Sequence, residues 1–180
     1  YDNRPARVAE SRVLSDGTEI ELTAVAYAYK QTPLMERVVK TVTAAGSSQE
    51  QTSVEETYGE AAAYPYAAGQ TKFTRDIAGV ETFYDYEAAA EHGAAHKKTA
   101  ITKVGGELAA GQSRKTESFI AANGTVLFEQ ESIWDGENWL LLSSGAHEYD
   151  EEGRRTKTTR GNDRVSATSW MCCGKLSETD

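Results

Sequence analysis

The sequence has few of the residues that define cross-linked, metal-binding or membrane-spanning proteins. Its only two cysteines, Cys172 and Cys173, are adjacent. Neighbouring cysteines close only a strained ring and lack the spacing of a zinc site, so we expect no disulfide framework and no bound metal. No apolar run approaches the roughly 18 residues of a membrane span, and no segment has the pattern of a signal peptide. We therefore expect no membrane span.

The chain begins with Tyr1 rather than methionine and ends at Asp180 without an obvious terminal element. We therefore expect it to be a fragment of a longer polypeptide.

Positive charge and strongly apolar residues are also scarce. The formal net charge is −9, and binding to a phosphate backbone requires clustered lysine and arginine, so we expect no nucleic-acid partner. Hydrophobic residues make up 39% of the chain, much of it alanine and tyrosine, and the mean hydropathy is −0.58. Such a chain buries little apolar area for its length. We expect it to draw its order from hydrogen-bonded sheets that stack against neighbouring repeats.

What the sequence does contain is a series of short runs rich in valine, threonine, tyrosine and phenylalanine, separated by turn residues. Asp16-Gly17 and Asn123-Gly124 are typical of two-residue type I′ hairpin turns. Further turns are predicted at 46–49, 76–79, 135–136 and 161–163. This spacing predicts an all-β fold of consecutive antiparallel hairpins.

The pattern divides the chain into three stretches of one repetitive β-sheet array. Residues 1–86 are predicted to form degenerate hairpins and residues 113–180 regular ones. Residues 87–112 are predicted to form an irregular connection rich in alanine and glycine. Its first part, Glu87–His96, is interpreted as a loop or a short helix, because Gly93 weakens a helical pattern.

The last stretch contains two successive copies of one unit, at 149–169 and 170–180, offset by 21 residues. In each copy an aromatic residue comes first, glycine follows four residues later, and a basic residue comes next. Glycine supplies a positive φ in the turn, and the aromatic residue supplies buried area. The matching residues are Tyr149, Asp150, Gly153 and Arg154 in the first copy and Trp170, Gly174 and Lys175 in the second.

Tyr149-Asp150-x-x-Gly153-Arg154 resembles the signature of the RHS or YD-repeat family. The second copy keeps the spacing but has Met171 in place of aspartate. Tyr84-Asp85 and Tyr1-Asp2 keep only the Tyr-Asp dipeptide of this signature. After Tyr1-Asp2, the place of Gly-Arg is taken by Pro5-Ala6-Arg7. Asp76-x-x-Gly79 is similar to the stretch between repeats in the same proteins.

The resemblance implies a wall segment in which hairpins join edge to edge into a curved, open, ribbon-like sheet. Bacterial members of the family are typically secreted or displayed on the cell surface, and several enclose a toxic C-terminal domain. The expected partners are therefore the remaining repeats of the parent polypeptide and, in a toxin shell, that enclosed domain. The resemblance implies no catalytic residue and no cofactor in the repeats.

Other residues suggest alternatives. Trp134 and Trp139 bracket a glycine-containing turn and could stack on a sugar, although packing between hairpins explains them better. With Tyr27 and Tyr29 they carry the second hypothesis, a cell-surface adhesion or carbohydrate-binding module. His92 and His96 are four residues apart, but Gly93 occupies the place of the zinc-protease glutamate, so a solvated loop is favoured.

Two further groups of charged residues have simple structural explanations. A basic stretch is interpreted as a solvated strand surface with ion pairs to Glu151 and Glu152. It comprises Arg154, Arg155, Lys157, Arg160 and Arg164. Aspartates at turns are interpreted as acceptors for nearby backbone N–H groups. They are Asp76, Asp85, Asp135 and Asp150.

Overall fold

The computed structural model describes residues 4, 6–44, 50–171 and 174–179. Thirteen strands account for most of them, and the only helices among these residues are two short 3₁₀ helices, Pro65–Ala67 and Glu91–Gly93. The strands are β1 (Arg7–Val13), β2 (Glu19–Gln31), β3 (Met35–Ala44), β4 (Glu50–Tyr58), β5 (Thr71–Arg75), β6 (Val80–Ala88), β7 (His96–Val104), β8 (Arg114–Ile120), β9 (Val126–Trp134), β10 (Trp139–Tyr149), β11 (Arg155–Arg160), β12 (Val165–Met171) and β13 (Gly174–Thr179).

The strands form one open antiparallel sheet in which their order follows the chain, from β1 to β13. This confirms the predicted all-β fold of consecutive antiparallel hairpins. Such an order arises when each strand pairs with the one that precedes it through a short connection. The chain divides into two compact units, Tyr1–Phe83 and Tyr84–Asp180, with the division inside β6.

The first unit is built on the long ladder between β2 and β3. Nine residue pairs join these strands, from Thr23 opposite Ala44 to Gln31 opposite Glu36. In β2, alanines alternate with Val25, Tyr27 and Tyr29, so the sheet has one small-residue face and one aromatic face. The buried apolar side chains described in this unit are Val54 and Ala67.

The connection between β4 and β5 packs against the turn between β2 and β3. The N–H of Gly59 donates to the carbonyl oxygen of Leu34 at 2.9 Å, and that of Ala61 donates to Pro33 at 2.9 Å. A Cβ atom on residue 59 would lie 2.2 Å from the Pro33 carbonyl oxygen, so only glycine fits there.

The second unit has a small aromatic cluster as its core. Phe119 and Phe128 face each other across β8 and β9, with ring centres 5.8 Å apart. His92, in the second 3₁₀ helix, stacks on Phe128 at 4.0 Å and meets Phe119 edge-on at 4.8 Å. Tyr86, Phe119 and Ile120 are the buried apolar residues described here. The loop that carries His92 therefore covers part of the sheet.

The predicted irregular connection over 87–112 is wrong for much of its length. Strand β6 continues to Ala88, and His96–Val104 form the regular strand β7. Strand β7 pairs with β8 over six residue pairs, from His96 opposite Ile120 to Ile101 opposite Lys115. The alanine-rich sequence between β6 and β7 stays outside the strands, whereas His96–Val104 contains threonine, isoleucine and valine, which suit a strand paired with a neighbour. Only the links on either side of β7, residues 89–95 and 105–113, are irregular.

Candidate functional site

Five hairpin turns in the described part of the chain share one geometry. The first residue donates its N–H to the carbonyl oxygen of the fifth, and the fourth donates back to the first. The fourth residue has a positive φ, between 62° and 90°. This is a three-residue loop with a bulge residue in the left-handed region. The first residues of these turns are Leu14, Asp76, Ala121, Asp150 and Arg160.

The predicted type I′ turns at Asp16-Gly17 and Asn123-Gly124 are therefore wrong. A type I′ turn needs positive φ at both central residues, and here only Gly17 and Gly124 have it. The side chains of Asp16 and Asn123 instead accept the N–H of the fifth residue, Thr18 at 2.9 Å and Thr125 at 3.1 Å. These side chains favour the three-residue loop over the two-residue turn, because they accept the N–H of the fifth residue, which the strand ladder leaves unpaired.

In all five turns, the N–H of the fifth residue donates to the side chain of an aspartate or asparagine. Asp76 and Asp150, at the first position, accept from Val80 at 2.9 Å and from Arg154 at 2.8 Å. Asn162, at the third position, accepts from Arg164 at 3.2 Å. The interpretation of Asp76 and Asp150 as backbone acceptors is confirmed. Asp135 plays the same part in a shorter turn, where it accepts the N–H groups of Glu137 and Asn138 at 2.8 and 2.7 Å.

In the Tyr-Asp-x-x-Gly-Arg copy, the aspartate holds both the backbone and the side chain of the arginine. Besides the backbone bond, Asp150 Oδ2 accepts from Arg154 Nε at 2.8 Å, and Arg154 Nη2 reaches Glu152 at 3.0 Å. Partial burial would raise the pKa of Asp150, but these bonds from Arg154 outweigh it and lower the pKa below 3.8. Gly153 supplies the positive φ of 77°. Each fixed residue of the motif therefore has a role in closing the turn.

The aromatic residue of each copy makes an equivalent hydrogen bond. The hydroxyl of Tyr149 donates to the carbonyl oxygen of Val126 at 2.6 Å, and the indole N–H of Trp170 donates to that of Arg155 at 2.9 Å. Val126 and Arg155 are the first residues of β9 and β11, the strands that precede β10 and β12. Burial of the Tyr149 hydroxyl raises its pKa above 10.0. Each aromatic side chain thus fastens the beginning of the preceding strand.

The two copies differ in the register after the aromatic residue. In the first copy Tyr149 pairs with Arg155 across the turn. In the second, Trp170 pairs with Lys175 and Met171 with Gly174, so the hairpin is tighter. Cys172 and Cys173 lie outside the described residues, as do Tyr1, Asp2, Pro5, Asp180 and the predicted turn at 46–49.

Trp134 and Trp139 face each other directly across β9 and β10. Their ring centres are 5.4 Å apart and their planes are inclined at 58°. The Lys115 ammonium lies 5.7 Å from the centre of the Trp139 ring. The two rings form a cross-strand packed pair.

One cluster in the second unit was not predicted from the sequence. The side chain of His147 is 4% exposed, and it bridges three strands. Its Nδ1 lies 3.0 Å from the Thr158 hydroxyl on β11, and its Nε2 lies 3.2 Å from a carboxylate oxygen of Glu129 on β9. Gly145, two residues earlier on β10, lies beside the ring, and a Cβ atom there would be 3.5 Å from His147 Cε1, an ordinary contact. The only signal in the sequence is a lone histidine two residues after a glycine within a strand.

A depression of about 300 Å³ lies beside this histidine, and Glu131, Ser143 and Arg160 contribute to its lining. Both ring nitrogens of His147 already have partners within the sheet, so we interpret the cluster as a polar cross-link between strands.

Two residues of the basic stretch that the sequence suggested have local ion-pair partners. Arg154 and Lys157 form ion pairs, the latter with Glu148 at 2.7 Å. His96 begins β7, and His92 belongs to the aromatic cluster. Within the described ranges, no group of three or more potential ligand side chains is arranged to hold a metal ion. No helix in that part of the chain is long and apolar enough to cross a membrane.

Comparison with known proteins finds no family model and no curated protein that matches this chain.

Proposed function

We propose that this chain is a non-catalytic wall segment of a secreted or surface-displayed RHS/YD-repeat protein, whose repeats form a shell that can enclose a toxin domain. The observation that carries the proposal is the structural equivalence of the two repeat copies. In each, the aromatic side chain fastens the first residue of the preceding strand. Since β10 and β12 lie two strands apart, the unit of repetition is one hairpin.

The contacts between units support a role in which each hairpin is bound by its neighbours. The Arg154 guanidinium of the first copy lies 6.0 Å from the centre of the Trp170 ring of the second. Buried apolar side chains are few in the described residues, so the strands depend on ladder bonds and on links of this kind. In repeat proteins, stability is a sum of local terms and nearest-neighbour terms.

Hydrogen exchange on Tyr149→Phe tests the repeat architecture. Removing the hydroxyl leaves the Val126 carbonyl without this bond, at a cost of about 1 kcal/mol. We expect faster exchange in β9, β10 and β11 and unchanged exchange in β1 to β4. Tyr27→Phe in the first unit serves as the matched control. A uniform loss of protection along the whole chain would show a single cooperative domain and count against a wall segment.

The shell is tested on the longest natural polypeptide that contains residues 1–180. Electron microscopy should show a hollow particle, and limited proteolysis should spare a domain inside it. A solid particle, or complete digestion at low protease concentration, would overturn the proposal.

A further inference from the structure

A groove on the first unit is lined by two aromatic rings, one exposed and one half-buried. Phe73 and Phe83 lie directly opposite each other on β5 and β6, with ring centres 4.9 Å apart and planes inclined at 54°. Phe83 is 40% exposed. On the opposite face of the same hairpin, Thr74 pairs with Thr82. Threonine and phenylalanine both suit a half-exposed strand, but only the phenylalanine face offers rings against which a ligand can pack.

Charged side chains surround this pair, and cations outnumber anions among them. Glu56 lies between Arg37 at 3.5 Å and Lys72 at 3.9 Å. Arg75 is the strand neighbour of Glu81, yet within the described residues no carboxylate oxygen lies within 4.0 Å of its guanidinium. The chain as a whole carries a net charge of −9, whereas the groove has three cationic side chains against two carboxylates.

The groove measures about 400 Å³, which lies within the size range of small-ligand sites. Its residues share one face of the sheet, since Glu56 is opposite Phe73 and Arg75 is opposite both Val54 and Glu81. Two aromatic rings, a guanidinium with no carboxylate partner among the described residues, and two carboxylates are therefore presented together.

These groups define the chemistry of the ligand. Phenylalanine rings pack against the C–H face of a sugar ring. A guanidinium pairs with a carboxylate through two parallel hydrogen bonds. Glutamates accept hydrogen bonds from sugar hydroxyls. We propose that the Phe73–Phe83 groove binds a carboxylated sugar ring of an acidic glycan, with Arg75 pairing with its carboxylate.

Calorimetric titration of the full chain tests this with three probes: methyl glucuronide, its neutral counterpart methyl glucoside, and acetate. We expect the glucuronide to bind at least about tenfold more tightly than either of the others, because it alone offers both a ring and a charge. Equal affinity for glucuronide and glucoside, equal affinity for glucuronide and acetate, or no binding of the glucuronide would each overturn the proposal.

Variants locate the site. Arg75→Gln should lower glucuronide affinity about tenfold and leave glucoside affinity unchanged. Phe83→Ala should weaken both, with its fold checked by circular dichroism. Arg12→Gln makes the same change of charge on an exposed residue of β1 and should have no effect. Loss of binding in Arg12→Gln would reveal a general charge effect, and loss in Trp139→Ala would place the sugar on the second unit. Either result would contradict the proposal.

Discussion

Asp163 occupies the turn position that glycine fills in the four other three-residue loops. Its φ is 62°, in the left-handed region that side chains other than asparagine and aspartate rarely adopt. We expect Asp163→Gly to stabilise the chain by about 0.5–1 kcal/mol, because relief of this strain exceeds the added freedom of the unfolded chain. Urea unfolding followed by circular dichroism measures the change.

Gly153→Ala is the matched control for Asp163→Gly. Alanine would have to adopt the φ of 77° that Gly153 has, and we expect destabilisation of about 1 kcal/mol. The same sign of effect for both substitutions would contradict the argument.

The cross-link made by His147 gives a second prediction. His147→Ala removes the partners of Thr158 and Glu129 from a buried position, and we expect a loss of about 2–3 kcal/mol of unfolding free energy. Thr158→Val keeps the shape and removes only the hydroxyl, so it should cost about 1 kcal/mol. Urea unfolding of both variants measures these losses.

The double variant tests whether His147 and Thr158 act together. Because they contact each other, the cost of His147→Ala and Thr158→Val combined should be smaller than the sum of the two single costs by at least about 0.5 kcal/mol. Simple additivity would show that the hydrogen bond contributes nothing to stability.

At the scale of single residues, the sequence predicted local contacts better than contacts between strands. The aspartates at turns could be foreseen because their partners lie within four residues. The contacts of His147 could not be foreseen, because its partners lie 11 and 18 residues away in the sequence. These residues meet only in the register that the folded sheet adopts.

Among the elements, the turns contribute to the pH dependence of the fold. The N–H and then the hydroxyl of Thr18 lower the pKa of Asp16, and the N–H groups of Asn138 and Glu137 lower that of Asp135. The pKa of Asp150 is lowered as well. Since the pKa values of these aspartates in the folded chain lie below the ordinary 3.8, the stabilisation that their ionised forms give the fold is fully present above pH 3.8. It is lost as the pH falls through the lowered pKa values. We therefore expect the melting temperature to fall as the pH drops below about 4.

The triple variant Asp16→Asn, Asp135→Asn, Asp150→Asn is the control. Asparagine keeps an acceptor oxygen without a titrating group, so the melting temperature should be lower at neutral pH and depend less on acid. An unchanged acid transition in this variant would place the pH dependence elsewhere.

Hairpins with strong turn residues were predicted, and strands without them were not. Asp76–Gly79, Asn123-Gly124 and Gly161–Asp163 each mark a turn that the structure contains. The strand β7 lacked such a signal, because the links at either end of it are long and irregular. The type of turn was wrong where a side-chain hydrogen bond selects a longer loop than the Asn-Gly or Asp-Gly dipeptide indicates.

At the scale of the whole molecule, β1 and β13 are the edges of the sheet in the part of the chain that the structure describes. All seven residues of β1 are exposed, among them Val8 and Val13. Unpaired strand edges invite pairing with another chain. We expect the 180-residue chain to self-associate as its concentration rises, and light scattering measures this.

Val8→Lys should reduce this association, because lysine on an edge strand opposes pairing with another strand. Val165→Lys makes the same change at an exposed residue of β12, which is paired on both sides, and should leave association unchanged. A stable monomer at high concentration would contradict the prediction.

The order of the strands followed from the sequence because every connection joins neighbours. The division of the chain into two units inside β6 did not follow from the sequence, since no glycine-rich or proline-rich linker marks it. The groove at Phe73 and Phe83 was missed for the same reason as His147: the charges that surround it come from β3, β4 and β5 and meet only in the folded sheet.

The self-contained turns also bear on how such a chain can change length during evolution. Each three-residue loop is closed by a side chain of its own, so a hairpin brings its own turn with it when it is duplicated or deleted. Removing one strand would reverse the direction of every strand after it, whereas removing two restores it. The natural step of growth or loss is therefore a strand pair, about 21 residues in the copies at 149 and 170. Lengths between these steps would require a new kind of connection.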